Sequence, residues 1–144
     1  MKAFKFSLQV VLDEAVTQKD ECALKLKETS DAIKKVEHER AALHNSIVSC
    51  EKKLYTNCNA NGFKQIKVYI DELSKRDESL KKELDRLEII KMQRLEDLKK
   101  AKIKCSAFEK IREKKYSQFL DSIKKYEERE IEELINNKYI SKAD

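Results

Sequence analysis

The sequence predicts an all-α protein, a long two-stranded antiparallel coiled-coil hairpin with a protruding C-terminal helix. Apolar residues recur at alternating spacings of four and three over residues 8–54, and the same pattern returns over residues 66–108. The 144 residues include one glycine and no proline, and 41% are charged. Such a composition is typical of long helices and coiled coils. The only glycine, Gly62, lies between the two apolar stretches, where it predicts a reversal of the chain.

Both apolar stretches keep a seven-residue repeat, which we call the seam. In the first stretch the polar exceptions are Lys19, Thr29 and Arg40, and the seam positions are 8, 12, 15, 19, 22, 26, 29, 33, 36, 40, 43, 47, 50 and 54. In the second stretch the exceptions are Asp77, Lys91 and Arg94, and the positions are 66, 70, 73, 77, 80, 84, 87, 91, 94, 98, 101, 105 and 108. A strict seven-residue repeat indicates a left-handed supercoil.

The predicted organisation is a single coiled-coil domain over residues 1–144. We expect helix 1 at about 6–57, a turn at about 58–62 and helix 2 at about 63–139. If residue i faces residue 120 − i, the apolar layers of the two helices match, for example Leu12 with Phe108. The same register puts Arg40 and Asp77 in adjacent layers on opposite helices. We expect them to pair across the seam, because a lone charge there would be costly.

Helix 2 is predicted to extend beyond helix 1. Under this register Leu8 faces Arg112, and helix 1 has no further seam position that could pair with helix 2. The helical pattern of helix 2 nevertheless continues to about Ile135. Roughly 25 residues, or ~40 Å of helix, therefore protrude. This overhang, residues 109–135, carries apolar side chains that indicate a partner site: Tyr116, Phe119, Leu120, Ile123, Tyr126, Ile131, Leu134 and Ile135. Self-association or a fold-back are the alternatives, although no glycine or proline is available for a fold-back.

Charge and hydropathy argue against nucleic-acid and membrane-spanning functions. The net charge of +5 arises from 32 basic and 27 acidic residues that are well mixed along the chain. No run of five like charges forms a basic arm, and the mildly basic middle lacks interleaved aromatic residues. No apolar stretch approaches the ~20 residues that a bilayer requires. The N-terminus is a poor secretory signal, so we expect a cytoplasmic protein with no direct membrane insertion.

Neither catalysis nor a cofactor is expected. A single glycine excludes both glycine-rich phosphate-binding motifs. Carboxylates on a two-helix coil face water, where neither burial nor a neighbouring group shifts their pKa values for catalysis. His38 and His44 are six residues apart and lie on different helix faces, which disfavours a metal site. The four cysteines form no C-x-x-C pair and are expected to remain thiols: Cys22, Cys50, Cys58 and Cys105.

Three segments resemble a known family. The opening Phe4-Lys-Phe-Ser-Leu-Gln-Val-Val-Leu-Asp13 is similar to the F-x-F-x-L-Q-x-h-L-D start of the flagellar export protein FliJ family. Glu109-Lys-Ile-Arg-Glu-Lys-Lys115, followed by residues 126–134 with their E-x-x-E-L ending, resembles that family's closing helix. Chain length and the order of a shorter and a longer helix also match, so the resemblance covers nearly the whole chain.

The resemblance implies a component of the flagellar type III protein export apparatus, at the cytoplasmic face of the inner membrane. Proteins of this family resemble the central stalk of rotary ATPases. Their joined chain ends enter the pore of the hexameric export ATPase and promote its assembly and activity. The far part of the hairpin contacts the membrane export gate protein, and the family also escorts export chaperones. The implied function is thus a non-catalytic stalk in bacterial flagellum biogenesis and motility.

By position, the resemblance assigns two sets of residues. Export-gate binding falls to Tyr69, Ile70 and Leu73, and ATPase binding falls to Phe4, Phe6, Leu8, Leu12, Tyr116, Phe119 and Ile123. We expect a monomeric hairpin when the protein is dilute. The alternative hypothesis is a structural coiled coil that self-associates through its C-terminal helix and has no ATPase partner.

Overall fold

A computed structural model, which describes residues 3–56 and 59–143, contains two long helices. Helix α1 spans Gln9–Leu54 with 46 residues, and helix α2 spans Ala60–Ala143 with 84 residues. The helices pack against each other as a hairpin, and no strand occurs in the part of the chain that the structure describes. The predicted all-α coiled-coil fold is confirmed.

The seam predicted from the sequence is the surface along which the two helices bury their side chains. Every seam position is buried or half-buried except Leu8, which is 38% exposed. This includes the polar exceptions Lys19, Lys91 and Arg94, which are half-buried. Their long aliphatic stems can cover apolar surface while the charged ends reach water. A seven-residue repeat keeps one stripe of each helix turned towards its partner, because supercoiling compensates for the 3.6-residue helical period.

Tertiary contacts divide the chain into two units, of which Asp20–Lys99 forms the first. Its most buried side chains are Ile33 and Val36 of α1 and Leu80 of α2. Next to them the guanidinium of Arg40 reaches across the seam, where its Nε donates to Asp77 Oδ1 at 2.9 Å. The predicted register places these two residues in adjacent layers, and the structure brings them into contact.

The ion pair shifts the protonation equilibria of both partners. The hydrogen bond from Arg40 lowers the pKa of the Asp77 carboxyl below its ordinary value, with a smaller opposing effect from desolvation. The same bond raises the pKa of Arg40. Both side chains are about one-third exposed, so solvent screens the attraction. The pair therefore fixes which residues face each other more than it adds to stability.

The second unit comprises the residues up to Lys19 together with those from Lys100 onward. Leu12, Ala15 and Cys105 form its buried core, and further apolar side chains pack against this core: Phe6, Val16 and Phe108. Ala15 and Cys105 are opposite each other in the predicted register, as are Leu12 and Phe108. Small side chains in one layer beside large ones in the next allow the two helices to approach closely.

The second helix begins earlier than the sequence predicted, because an asparagine caps it. The Asn59 side-chain Oδ1 accepts a 2.7 Å hydrogen bond from the backbone N–H of Gly62, and Phe63 N–H donates to the Asn59 carbonyl at 2.9 Å. Asn59 is thus the N-cap residue. Gly62 lies inside the first turn of α2, and no described glycine has a positive φ. The glycine therefore weakens the start of the helix and does not itself make the turn.

The remaining helix ends also differ from the predicted boundaries. Helix α1 begins at Gln9 and not near residue 6, and the Gln9 N–H donates to the Phe6 carbonyl at 3.1 Å. It ends at Leu54, after which the N–H groups of Tyr55 and Thr56 bond three residues back. The predicted helix end at residue 57 and the turn residue Cys58 lie outside the described residues. Helix α2 continues to Ala143, beyond the predicted end near 139.

Within the described residues, neither helix has an apolar stretch long enough to cross a membrane.

Replacing Asn59 by alanine removes the cap and leaves a backbone N–H of the first turn without its acceptor. We expect the free energy of unfolding, measured by urea denaturation, to fall by about 1 kcal/mol. The matched control is Asn61→Ala, two residues into the same helix, where alanine improves helix propensity and should cause no loss. Equal stability of the Asn59→Ala and wild-type proteins would show that the cap contributes nothing.

Acidification should weaken the Arg40–Asp77 pair. Because the folded-state pKa of Asp77 is lowered, its stabilisation is complete above the unfolded pKa of about 4 and is lost as pH falls through the folded value. Urea titrations should therefore show Asp77→Asn less stable than wild type at pH 7 and the difference shrinking by pH 2. A pH-independent difference would contradict this. The control is Arg76→Gln, since Arg76 and Glu39 are 4.0 Å apart and more exposed.

Candidate functional site

An aromatic cluster joins the N-terminal segment to helix α2. The Phe4 ring meets the Tyr116 ring edge-on, with centroids 5.1 Å apart and planes at 70°. It also contacts Phe119 at a centroid distance of 5.4 Å. Edge-to-face and tilted arrangements are favourable because the positive edge of one ring approaches the negative face of the other. The cluster fixes the segment that precedes α1 against the overhang.

Arg112 links the same segment to α2 by polar contacts. Its guanidinium lies over the Phe4 ring at 5.7 Å, and its Nε donates to Gln9 Oε1 at 3.1 Å. Gln9 Nε2 in turn donates to Asp13 Oδ1 at 2.9 Å. One cation therefore interacts both with an aromatic face and with the first residue of α1. These contacts hold the start of α1 against α2 beyond the last apolar layer of the seam.

Two open clefts flank this cluster. The larger, about 900 Å³, lies between the N-terminal segment and α2, and its lining is Ala3, Phe4, Lys5, Phe6, Ser7, Lys115, Gln118 and Phe119. The second, about 420 Å³, lies beside Arg112, and its lining includes Gln9, Asp13, Glu109 and Glu113. The larger cleft combines apolar walls with the ammonium groups of Lys5 and Lys115. Such a surface suits an apolar side chain with a carboxylate nearby.

The residues assigned to ATPase binding all lie in the second unit, but their side chains differ in solvent exposure. Leu8 and Tyr116 are exposed, the latter by 45%. The half-buried members are Phe4, Phe6, Phe119 and Ile123. Leu12 is only 6% exposed and belongs to the core. Its side chain can support the surface but offers little area to a partner.

The residues assigned to gate binding lie in the other unit, near the start of α2. Tyr69 is 50% exposed, whereas Ile70 and Leu73 occupy seam positions and are half-buried. Exposed Val68 precedes Tyr69 on the outer side of the helix. Tyr69 and Val68 therefore form the accessible part of this patch, and Ile70 and Leu73 hold it against α1.

The overhang carries most of its side chains in water. Every side chain over residues 124–142 is exposed. Its carboxylates are densest over one short stretch, which also contains Arg129: Glu127, Glu128, Glu130, Glu132 and Glu133. Glu130 accepts a hydrogen bond from the Tyr126 phenol, which raises the pKa of Tyr126 above its ordinary value. The overhang thus presents an exposed apolar stripe that an acidic segment borders.

Sequence reasoning missed the role of Arg112 and Gln9. The register places Arg112 opposite Leu8, in the first layer that is not apolar on both sides. The signal was present, because an arginine four residues beyond the last apolar layer, close to an N-terminal phenylalanine, is suited to a cation–π contact. Which ring it would reach depended on the path of residues 3–8, and the helical repeat says nothing about that path.

In the described part of the chain, no group of three or more histidine, cysteine, aspartate or glutamate side chains is arranged to hold a metal ion. Cys105 is buried and its thiol is 3.5 Å from Glu109 Oε1 on the same helix.

Removing the Phe4 ring should loosen the N-terminal segment. Phe4→Ala deletes two ring contacts and the cation–π contact with Arg112, so we expect the free energy of unfolding to fall by roughly 1–3 kcal/mol. Hydrogen exchange should also become faster at the backbone amides of residues 5–9. The control is Val10→Ala, since Val10 is highly exposed on α1. An unchanged exchange rate in Phe4→Ala would contradict the importance of the cluster.

No curated protein and no solved structure matches the chain significantly. The family model described as "Flagellar FliJ protein" matches residues 4–144. That match includes the aromatic N-terminal segment, the seam and the overhang, and it covers nearly the whole sequence. The chain therefore belongs to the flagellar FliJ protein family.

Proposed function

We propose that this FliJ-family component of flagellar export is a non-catalytic stalk. In this proposal the joined N- and C-terminal segments insert into the hexameric export ATPase, promote its assembly and activity, and link it to the export gate. The observation that supports this function is the aromatic cluster of Phe4, Tyr116 and Phe119, which joins the N-terminal segment to the base of the C-terminal overhang. A protein that enters a ring needs such a fixed end, because a frayed one would lose entropy on insertion.

The ATPase-facing surface is apolar with a basic border. Leu8 and Tyr116 offer exposed apolar area, and Phe6, Phe119 and Ile123 add the smaller accessible part of their side chains. Lys5 and Lys115 line the adjoining cleft. Aromatic residues near a basic group are typical anchors of protein interfaces. We therefore expect the pore of the ATPase to present apolar side chains and carboxylates to this end.

The gate-facing surface is proposed at Tyr69, with Ile70 and Leu73 beneath it. Tyr69 combines a large apolar ring with a hydroxyl group and is half exposed, which suits a contact made with a second protein. Separation of the ATPase set and the gate set along the sequence permits substitutions that affect one contact and leave the other intact.

The proposed setting is the cytoplasmic face of the inner membrane, where the protein is held peripherally by its partners. Export chaperones are further proposed partners, in keeping with the family. In dilute solution we expect a monomeric hairpin, since the seam is already satisfied within one chain.

The proposal is tested with the purified export ATPase. Substoichiometric protein should stimulate ATP hydrolysis, and Tyr116→Ala combined with Ile123→Ala should reduce this stimulation about tenfold or more through loss of exposed anchors. Tyr69→Ala is the matched control, because it should stimulate normally and fail only in binding to the gate protein. Absence of ATPase binding by the wild-type chain, with helicity confirmed by circular dichroism, would refute the proposal.

A further inference from the structure

Four apolar residues of the overhang, of which Ile123 is half-buried and the other three are exposed, are spaced symmetrically about Glu127. Leu120 and Leu134 lie seven residues before and after it, and Ile123 and Ile131 lie four residues before and after it. At 100° per residue, all four lie within about 40° of Glu127 on the helix surface. The exposed fractions are 47% for Leu120, 56% for Ile131 and 63% for Leu134. These residues, which we call the palindromic stripe, form one continuous face.

A stripe with this symmetry is complementary to itself. We propose that the palindromic stripe binds the same stripe of a second copy of this chain in an antiparallel pair centred on Glu127. Leu120 then faces Leu134 of the second copy, and Ile123 faces Ile131 of the second copy. Each contact occurs twice, because a two-fold axis relates the copies. The pairing does not depend on the proposed stalk function.

Charges beside the stripe favour the same arrangement. Lys124 and Glu128 are exposed and lie on the same side of the stripe, about 60° and 100° from Glu127. A two-fold axis brings like edges of the stripes together. Lys124 therefore approaches Glu128 of the second copy with an axial offset of about 3 Å, within reach of a long side chain. Opposite charges meet twice along this edge, so charge complementarity selects a second copy as the occupant.

One feature limits the strength of the pair. Glu127 stands at the centre of the stripe, where it meets Glu127 of the second copy, and like charges held close together oppose association. The stripe also contains only four apolar side chains per copy, which corresponds to an interface at the small end of the range, under about 1,200 Å². The expected dimer is therefore weak and concentration-dependent, in agreement with a monomer in dilute solution.

The test is sedimentation equilibrium of the full chain over a wide concentration range. Lys124→Glu and Glu128→Lys each turn two attractive contacts into two repulsive ones, and each should weaken self-association about tenfold. An equimolar mixture of the two variants should recover the wild-type association constant, because every contact in the mixed dimer is again attractive. Glu127→Gln should strengthen the wild-type dimer by removing the central repulsion.

Several outcomes would overturn the pairing. A chain that remains monomeric at every concentration would show that the stripe does not bind a second copy. Self-association that both charge reversals leave unchanged would place the contact elsewhere, as would a mixture that fails to recover. Circular dichroism of each variant excludes loss of helix as the cause. Failure here is distinct from failure of the stalk proposal, because no ATPase is present in the measurement.

Discussion

The structure depends on one constraint: each helix has only a narrow apolar stripe, and the two stripes must remain face to face along the seam. Among the described residues few side chains are buried, namely Leu12, Ala15, Ile33, Val36, Leu80 and Cys105. Most seam residues are half-buried, so stability accumulates from many modest contacts. Isolated helices are marginal in water, so the helices depend on this pairing. A change of register by anything other than a whole repeat would expose apolar positions of both helices at once.

Polar residues in the seam specify the alignment that apolar residues alone leave open. A repeat of Leu, Ile and Val tolerates a shift of seven residues, since similar side chains would again face one another. Arg40 and Asp77 remove this degeneracy, because a shift would leave both charges half-buried without a partner. In the second unit Arg112 also restricts the alignment, through its contacts with Gln9 and the Phe4 ring.

The available surfaces follow from where the seam ends. Beyond Phe108 the seam positions of α2 no longer have an apolar partner in α1, and the N-terminal segment supplies Phe4 in its place. Over residues 124–142 the side chains of α2 are exposed. The chain therefore offers a fixed aromatic surface and, next to it, an unpaired stripe centred on Glu127. The proposed ATPase-facing surface and the proposed self-pairing stripe share Ile123 and otherwise lie in neighbouring parts of the overhang.

Several features of the site were visible in the sequence, and others were not. The closeness of Arg40 and Asp77 followed from the register, because a helical repeat fixes which residues lie in the same layer and which in adjacent layers. The burial of Leu12 followed from the same repeat, which pairs it with Phe108, whereas the family resemblance alone assigned Leu12 to a partner surface. Gly62 suggested a turn, but Asn59 decided the helix start through its side-chain oxygen. Composition cannot tell whether Gly62 or Asn59 determines where the helix starts, because both residue types are common in turns and at helix ends.

The sequence by itself determined the helices, the seam and the presence of an overhang, because hydrophobic periodicity and the scarcity of helix breakers act locally along the chain. Only the tertiary structure decided the path of residues 3–8, the contacts of Phe4 with Tyr116 and Phe119, and the link from Arg112 to Gln9. Those contacts join residues more than one hundred positions apart in a segment without helical repeat, so their geometry depends on packing in three dimensions.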